Sequence, residues 1–192
     1  MFIKKGKLLI AGGTYTPTAR GYRAGTLMSY ENGKWTNFDE GAAAKAIGYD
    51  IRDFLDIAVD PDDANHYFVS SFGEGVIEIK DNAFVQLYNH KNTPLRPALE
   101  TEQEHYVRVG GICFDKNKNL WMTNCSAPNG IVVRTVDGTW KSLFFKGVSN
   151  ATFIGRIMIT SKGHKWVNVP RGNTGILVFD DNGTPTEPSD DK

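Results

Sequence analysis

Hydrophobic residues in this chain come in short β-favouring runs bounded by glycine and by polar turn pairs. Four segments share one layout, in which a glycine opens the run and a turn pair starts seven residues later. The glycines are Gly25, Gly75, Gly130 and Gly175, and the turn pairs are Asn32-Gly33, Asn82-Ala83, Asp137-Gly138 and Asn182-Gly183. Successive glycines stand 50, 55 and 45 residues apart. Because Asn-Gly and Asp-Gly adopt the positive φ angles of tight turns, each segment predicts a β-hairpin.

A second hairpin precedes three of these segments. Its strands are predicted over residues 55–60 and 66–70, over 111–115 and 120–123, and over 156–160 and 165–168. In the first repeat the pattern predicts only the second of these strands, over residues 7–12, so the innermost strand is missing. Four short strands in each period of about 50 residues are typical of β-propeller blades. Unrelated hairpins of a β-sandwich are the alternative, which the common phase of the four repeats disfavours.

The repeat predicts an all-β fold, a β-propeller segment of about four blades, each a four-stranded antiparallel sheet, in an incomplete ring. We expect a partial first blade over residues 1–38 and further blades over 39–88, 89–145 and 146–192, all in one propeller domain. The fourth blade lacks a clear outermost strand, because residues 184–192 are polar and contain prolines. Trp121 and Trp166 each stand nine residues before a repeat glycine, and we expect them to fill equivalent slots between blades.

Composition and charge argue against several classes of protein. The 192 residues include 22 Lys and Arg and 22 Asp and Glu, so the formal net charge is zero. The sequence also has no block of basic residues, which argues against nucleic-acid binding. The longest apolar runs, such as residues 176–179, are too short to span a bilayer. Residues 1–7 show no signal-peptide pattern. We therefore expect no membrane span and no nucleic-acid partner for this chain.

The two cysteines, Cys113 and Cys125, fall in one predicted hairpin. In its predicted register Cys113 stands opposite Met122 and Cys125 opposite Gly110. The two thiols are then several residues out of register, whereas a disulfide requires Cα atoms within about 7 Å of each other. We therefore expect buried free thiols.

Recognisable motifs of catalysis and metal binding are missing from the sequence. It contains no His-Glu-x-x-His, Gly-x-Ser-x-Gly, P-loop or Cys-x-x-Cys pattern. Residues 115–119 imitate the opening of a calcium loop, but Leu120 stands where that loop needs glycine and Ser126 where it needs glutamate. The segment therefore predicts a hairpin turn. We expect no metal, no cofactor and no enzymatic activity.

Residues 111–140 resemble a known repeat. Their pattern is an apolar residue followed by aspartate, a short turn, Asn-Leu-Trp-x-x-Thr, Gly-Ile and Asp-Gly-x-Trp, and residues 156–183 follow it with variation. This resembles the two-component-regulator propeller repeat of periplasmic sensor regions in hybrid histidine kinases. It is also similar to the N-terminal propeller of PorZ-type surface components of type IX secretion. The second repeat departs from the pattern, since His66-Tyr67 and Val85 stand where tryptophans are usual.

The resemblance implies an extracytoplasmic recognition or sensing domain, periplasmic or at the cell surface, without enzymatic activity. It also implies a glycan as one class of ligand, because the kinase relatives detect glycan fragments and the secretion relative holds a surface glycan. The matching residues are scaffold residues, so the resemblance is specific for fold and weak for function.

Long connections are concentrated at one face of the predicted propeller. They are residues 13–24, 39–52, 89–108 and 146–155, which join second to third strands or one blade to the next. Their tyrosine rings suit sugars or partner side chains, and their arginines suit carboxylate, sulfate or phosphate groups. The predicted ligand-binding residues are Tyr15, Arg20, Tyr22, Arg23, Tyr49, Arg52, Arg96, His105, Tyr106, Arg108 and Arg171. We expect a glycan or protein ligand, and for each single residue a solvated loop surface is the alternative.

An enzyme acting on an anionic polysaccharide, a lyase or glycosidase, is the alternative function. Its acid and base would come from the same face, where the candidates are Glu74, Glu102, Glu104 and His105. Open blade edges also predict a homo-oligomer, because an unpaired strand edge is a template for another chain.

Overall fold

The computed structural model of the protein describes residues 1–4, 6–13, 21–170, 175–187 and 189. Their strands form four antiparallel sheets that follow one another along the chain, each with its strands in sequential order. The strands are β1 (Phe2–Lys4), β2 (Lys7–Ala11), β3 (Leu27–Glu31) and β4 (Lys34–Asn37) in sheet 1; β5 (Phe54–Val59), β6 (His66–Ser71), β7 (Gly75–Lys80) and β8 (Ala83–Tyr88) in sheet 2; β9 (Val109–Phe114), β10 (Leu120–Asn124), β11 (Ile131–Arg134) and β12 (Trp140–Leu143) in sheet 3; and β13 (Ile157–Ile159), β14 (Lys165–Val169) and β15 (Gly175–Phe179) in sheet 4. Helix α1 (Glu40–Ile47) precedes sheet 2, and a 3-10 turn (Gln103–His105) precedes sheet 3. The predicted all-β segment of four successive blades is confirmed.

Each sheet packs against the next one along the chain, and the described core divides into three clusters accordingly. Adjacent residues of β6 enter different clusters, since Tyr67 packs between sheets 1 and 2 and Phe68 between sheets 2 and 3. In β10, Met122 faces sheet 2 and Trp121 faces sheet 4. A β-sandwich buries one face of each sheet, so burial of both faces excludes that alternative.

Sheet 1 contains the innermost strand that the sequence pattern missed. Phe2 of β1 pairs with Leu9 of β2, and Ile3 pairs with Leu8. Gly6 turns the chain between the two strands at a φ of 80°. The prediction of a first blade without its innermost strand was wrong, because a strand of three residues is too short to show an alternating pattern.

The hairpin turn of the first repeat follows the predicted chemistry, and that of the second is shifted. Asn32 and Gly33 have φ angles of 50° and 78°, as predicted. In sheet 2 the positive φ angles fall on Asp81 and Asn82, and β8 already begins at Ala83. The prediction that placed this turn at Asn82-Ala83 was wrong by one residue. A left-handed conformation costs alanine about 1–2 kcal/mol, whereas aspartate and asparagine tolerate it.

Sheet 4 has three strands in the part of the chain that the structure describes. The sequence positions equivalent to β12, 45 residues later, are 185–188. Pro185 and Pro188 stand there in place of Trp140 and Leu143. Because proline has no N–H to donate to a β-ladder, this sequence disfavours a strand equivalent to β12.

The two cysteines are free thiols, in a register that differs from the predicted one. Cys113 stands opposite Trp121, because the turn between β9 and β10 takes five residues instead of four. A bulge in β9 shifts the other thiol, so the N–H of Cys125 donates to the carbonyl of Arg108 at 2.9 Å, and the predicted pairing with Gly110 does not form. Burial raises the pKa of the Cys125 thiol to about 12, so it stays protonated. Cys113 is only partly buried.

Trp121 fills the slot between sheets 3 and 4. It is fully buried, with the Phe179 ring 5.8 Å away between centroids and Nζ of Lys165 4.4 Å from its own ring centroid. Its indole Nε1 donates to the carboxylate of Asp115 at 2.9 Å. Trp166 has the equivalent position in β14 but is 40 % exposed, because it lies on the face of sheet 4 directed away from sheet 3.

We expect Trp121→Ala to lower the free energy of unfolding by about 3–5 kcal/mol, since it leaves a cavity between two sheets. Trp166→Ala is the matched control at the same repeat position, and we expect it to cost less than about 1 kcal/mol. Urea denaturation followed by circular dichroism measures both. Equal losses in the two variants would contradict the burial of Trp121 by sheet 4.

Candidate binding site on the loop face

The long connections meet at one end of the sheets, which we call the loop face. Its described parts are residues 12–13, 21–26, 38–53, 72–74, 89–108, 125–130 and 144–156. Connections at the opposite end of the sheets have at most six residues. Strand direction alternates in an antiparallel sheet, so all connections from second to third strands and from blade to blade emerge at the same end. The structure thus has its long connections on one face, as predicted.

Residues 38–53 contain a helix that the sequence analysis described only as a long connection. Asp39 caps α1, because its carboxylate accepts the backbone N–H of Ala42 at 2.9 Å. Gly48 ends the helix at a φ of 89°, a left-handed conformation that glycine adopts without strain. Tyr49 and Arg52 therefore follow directly on a helix of defined length.

Asp53 anchors the β2–β3 connection to the start of β5. Its fully buried carboxylate accepts the backbone N–H of Tyr22 at 3.0 Å and that of Arg23 at 2.9 Å. Its own N–H donates to the carbonyl of Arg23 at 2.9 Å. The side chains of Tyr22 and Arg23 consequently leave the backbone from a fixed position.

Glu74 joins three connections of the loop face. Its fully buried side chain accepts the N–H of Arg52 at 2.8 Å and the hydroxyl of Ser71 at 2.7 Å, both through Oε2. Oε1 lies 3.3 Å from Nδ1 of His105, and the backbone of Glu74 forms a β-bridge with Val107. A buried carboxylate is stable only when its oxygens accept hydrogen bonds, so these contacts fix the three segments relative to one another.

Tyr49 and His105 form an aromatic contact beside Glu74. Their ring centroids are 5.2 Å apart and the rings are inclined by 76°. The amide of Asn89 donates to the Tyr49 hydroxyl at 3.2 Å. Burial, with the nearby negative charges of Glu104 and Glu74, raises the pKa of Tyr49, so its hydroxyl stays neutral.

A second aromatic group connects residues that are far apart in sequence. The hydroxyl oxygens of Tyr22 and Tyr106 lie 3.3 Å apart, across a sequence separation of 84 residues. This hydrogen bond is the largest of the effects that raise the pKa of Tyr106. The guanidinium carbon of Arg108 lies 5.1 Å from the ring centroid of Tyr106 and 5.3 Å from that of Phe72. Three connections of the loop face thus contribute to one aromatic and cationic surface.

Seven of the predicted residues come together around Asp53 and Glu74, and we call them the loop-face cluster. They are Tyr22, Arg23, Tyr49, Arg52, His105, Tyr106 and Arg108. Arg96 lies beside the end of β10, where its N–H donates to the side chain of Asn124 at 2.7 Å. Tyr15, Arg20 and Arg171 lie outside the described residues.

A polar cavity of about 400 Å³ opens between α1 and the loop-face cluster. Its lining includes Tyr22, Glu40, Asp50 and Arg52. The guanidinium Nη2 of Arg52 lies 3.6 Å from the carboxylate of Asp50. The cavity offers hydrogen-bond donors and acceptors side by side, as a ligand rich in hydroxyl groups requires.

Asp53, Ser71 and Asn124 position the loop-face cluster, and the sequence analysis named none of them. Glu74 was predicted only as a candidate acid of the alternative enzyme. The signal for Ser71 was the spacing Ser-x-x-Glu, in which the hydroxyl reaches the N–H three residues later, here at 3.0 Å. Asp53 binds partners 30 and 31 residues away, a separation that no local pattern reveals.

Among the described residues, no group of three His, Cys, Asp or Glu side chains is arranged to bind a metal ion. The segment that imitates a calcium loop is a hairpin turn, as predicted, in which the Asp115 carboxylate accepts the N–H groups of Asn117 at 2.8 Å and Asn119 at 2.9 Å.

Within the same described ranges, no helix combines the length and the apolar character needed to cross a membrane.

Comparison with solved structures places the fold among β-propellers. No family model matches the sequence, and no curated protein sequence matches it. The chain is similar to PorZ, an essential bacterial surface component of the type IX secretion system of Porphyromonas gingivalis, with 32 % identity and a TM-score of 0.87. The match covers 98 % of this chain and 26 % of the PorZ chain, so this chain spans about a quarter of that relative.

Two more distant structures share the fold alone. The extracellular domain of a putative one-component system from B. thetaiotaomicron has 15 % identity and a TM-score of 0.52, over 83 % of this chain and 22 % of its own. A catalytically inactive virginiamycin B lyase from Staphylococcus aureus has 16 % identity and a TM-score of 0.58, over 97 % of this chain and 55 % of its own. The predicted similarity to propellers of surface components and sensors is confirmed.

We expect Glu74→Gln to lower the free energy of unfolding by about 1.5–3 kcal/mol, because hydrogen bonds to a buried charge are replaced by weaker ones. Hydrogen exchange at the amide of Arg52 should accelerate at the same time. The matched control is Glu104→Gln, which breaks a surface ion pair of 3.1 Å with Lys91 and should leave exchange at Arg52 unchanged. Unaltered exchange in Glu74→Gln would contradict the anchoring role of this carboxylate.

Proposed function

We propose that this chain is a non-enzymatic, extracytoplasmic recognition or sensing module that binds a glycan or protein ligand through its loop face. It works as part of a larger sensor or secretion-associated protein. The loop-face cluster carries this proposal, because aromatic and cationic side chains from three connections converge there on two buried carboxylates. The similarity to PorZ, a bacterial surface component, supports the extracytoplasmic location.

The polar groups of the loop-face cluster suit ligand binding better than catalysis. The carboxylates of Asp53 and Glu74 are occupied by backbone N–H groups and therefore hold loops in place. Tyr22 and Arg23 are exposed, so a ligand can reach both residues. Aromatic faces bind sugar rings or apolar side chains, and arginine binds anionic groups.

One contact favours the alternative function, an enzyme acting on an anionic polysaccharide. His105 Nδ1 lies 3.3 Å from the fully buried carboxylate of Glu74. A carboxylate that orients an imidazole is the usual arrangement of a general base. The same contact also serves the binding module, where it holds the 89–108 connection against the turn at Glu74.

Binding and turnover of oligogalacturonate separate the two functions. We expect a saturable isotherm by titration calorimetry and no shorter products by chromatography. The double variant Arg23→Ala, Arg52→Ala should weaken binding about tenfold or more, since two cations of the cluster are lost. Arg134→Ala, outside the loop face, is the control and should bind as the unaltered chain does.

Product release would count against the binding module. If shorter sugars form, and both Glu74→Gln and His105→Ala abolish them while the fold is retained, the chain is an enzyme. If the double arginine variant binds with the same affinity as the unaltered chain, the loop face is not the binding surface.

The outward faces of the first and last sheets also suit self-association. On sheet 4, Ile176 and Val178 are 56 % and 45 % exposed, whereas Ile131 and Val133 at the equivalent positions of sheet 3 are fully buried. Tyr30 and Trp35 form a partly exposed aromatic pair on sheet 1, with centroids 4.9 Å apart. Such apolar faces, and the edge of β15 that pairs with no further strand among the described residues, are surfaces on which a second copy could dock.

We expect light scattering to show association of the chain at high micromolar concentration. Ile176→Lys with Val178→Lys should restore the monomer, because two buried charges oppose the contact. Val85→Lys, on the exposed outer strand of sheet 2, is the matched control and should leave association unchanged. A stable monomer of the unaltered chain would refute the homo-oligomer.

A further inference from the structure

Arg108 is held in place by its backbone and by two aromatic rings. Its carbonyl accepts the N–H of Cys125 at 2.9 Å and the side-chain amide of Asn124 at 3.4 Å. Its guanidinium carbon lies over the rings of Tyr106 and Phe72. Aromatic faces attract a cation through their negative π-surface, so the side chain is held in a defined position.

The charge of Arg108 has no counter-ion among the described residues. No ion pair involves its guanidinium there, and its Nε–H is buried without a hydrogen-bond partner. A partly buried cation normally loses hydration energy that a carboxylate restores. Arg108 therefore keeps a charge for which this part of the fold supplies no anion.

Lys165 shows how the same fold treats a cation with a purely structural role. It also lies over an aromatic ring, 4.4 Å from the centroid of Trp121, and it is almost completely buried. Asp181 accepts a hydrogen bond from its Nζ and neutralises it. The comparison shows that a cation stacked on a ring can still have a carboxylate partner. Arg108 has none among the described residues, and its buried Nε–H also has no polar partner there.

We infer that Arg108 is the anion-binding residue of the loop face and that it takes a carboxylate of the ligand. This inference rests on the proposed function, since it names the chemistry of the same face. Because Nε is buried, the two Nη groups form the available polar end of the side chain, and they match the two oxygens of a carboxylate. The Tyr106 ring that stacks on the guanidinium carries a hydroxyl 3.3 Å from that of Tyr22, so Arg108 belongs to the same aromatic surface as both tyrosines. An acidic sugar and an acidic peptide both carry this group.

Nuclear magnetic resonance of the full chain tests the assignment through the Arg108 Nε–H signal, identified by its loss in Arg108→Lys. The probes are tetragalacturonate, hexaglutamate and neutral maltotetraose. We expect one of the two carboxylate probes to shift this signal saturably, and the tighter one to identify the source of the anion. Arg108→Lys keeps the charge but loses the paired donors, so affinity should fall about tenfold or more. The matched control is Arg134→Lys, whose guanidinium lies over the ring of Tyr88 at 6.0 Å, and it should leave affinity unchanged.

Each other outcome overturns the assignment. If Arg108→Lys binds a carboxylate probe as tightly as the unaltered chain and retains its backbone spectrum, Arg108 is not the anion site. The proposed function then stands if the Arg23→Ala, Arg52→Ala variant still weakens binding. If neither carboxylate probe binds, the assignment also falls. If maltotetraose binds and the double variant weakens that binding, the loop face is still supported as the binding surface. If no probe binds, both the assignment of Arg108 and the proposed function fall.

Discussion

Face-to-face packing of successive sheets is the constraint on which the rest of this structure depends. In sheets 2 and 3 both faces are buried, so neighbouring residues of one strand, such as Tyr67 and Phe68, enter different cores. Apolar burial stabilises the fold by about 25 cal/mol per Å² and here makes each middle sheet dependent on two neighbours. The connections of the loop face are therefore attached to packed sheets whose positions do not depend on any single loop.

Polar contacts, in contrast, order the loop face. Asp53 and Glu74, both fully buried, accept backbone N–H groups from residues up to 31 positions away. Hydrogen bonds to an ionised carboxylate are about twice as strong as neutral ones, so two side chains suffice to hold several loops. The aromatic and cationic groups attached to those loops are positioned in advance, which reduces the entropy lost when a ligand binds.

Local chemistry predicted most of the elements. It missed strand β1 and helix α1, and its other errors were shifts of one residue in a turn or a loop. The shift of a turn to Asp81-Asn82 and the register of Cys113 are of this kind, since side chains alternate with a period of two and one residue changes every partner. The long connections were predicted on the correct face from strand order alone. Which of their residues meet could not be predicted, because Tyr22 and Tyr106 are 84 residues apart.

The sequence by itself determined the repeat, the number of blades and the end of each sheet that carries long connections, because these depend on spacing, turn residues and strand direction. Only the tertiary structure decided the environment of each repeat position. Trp121 and Trp166 share one place in the repeat, yet the first is covered by Phe179 and Lys165 and the second is 40 % exposed. Burial and neutralisation of charge depend on what the neighbouring sheet or loop supplies, and that is set by contacts across the fold.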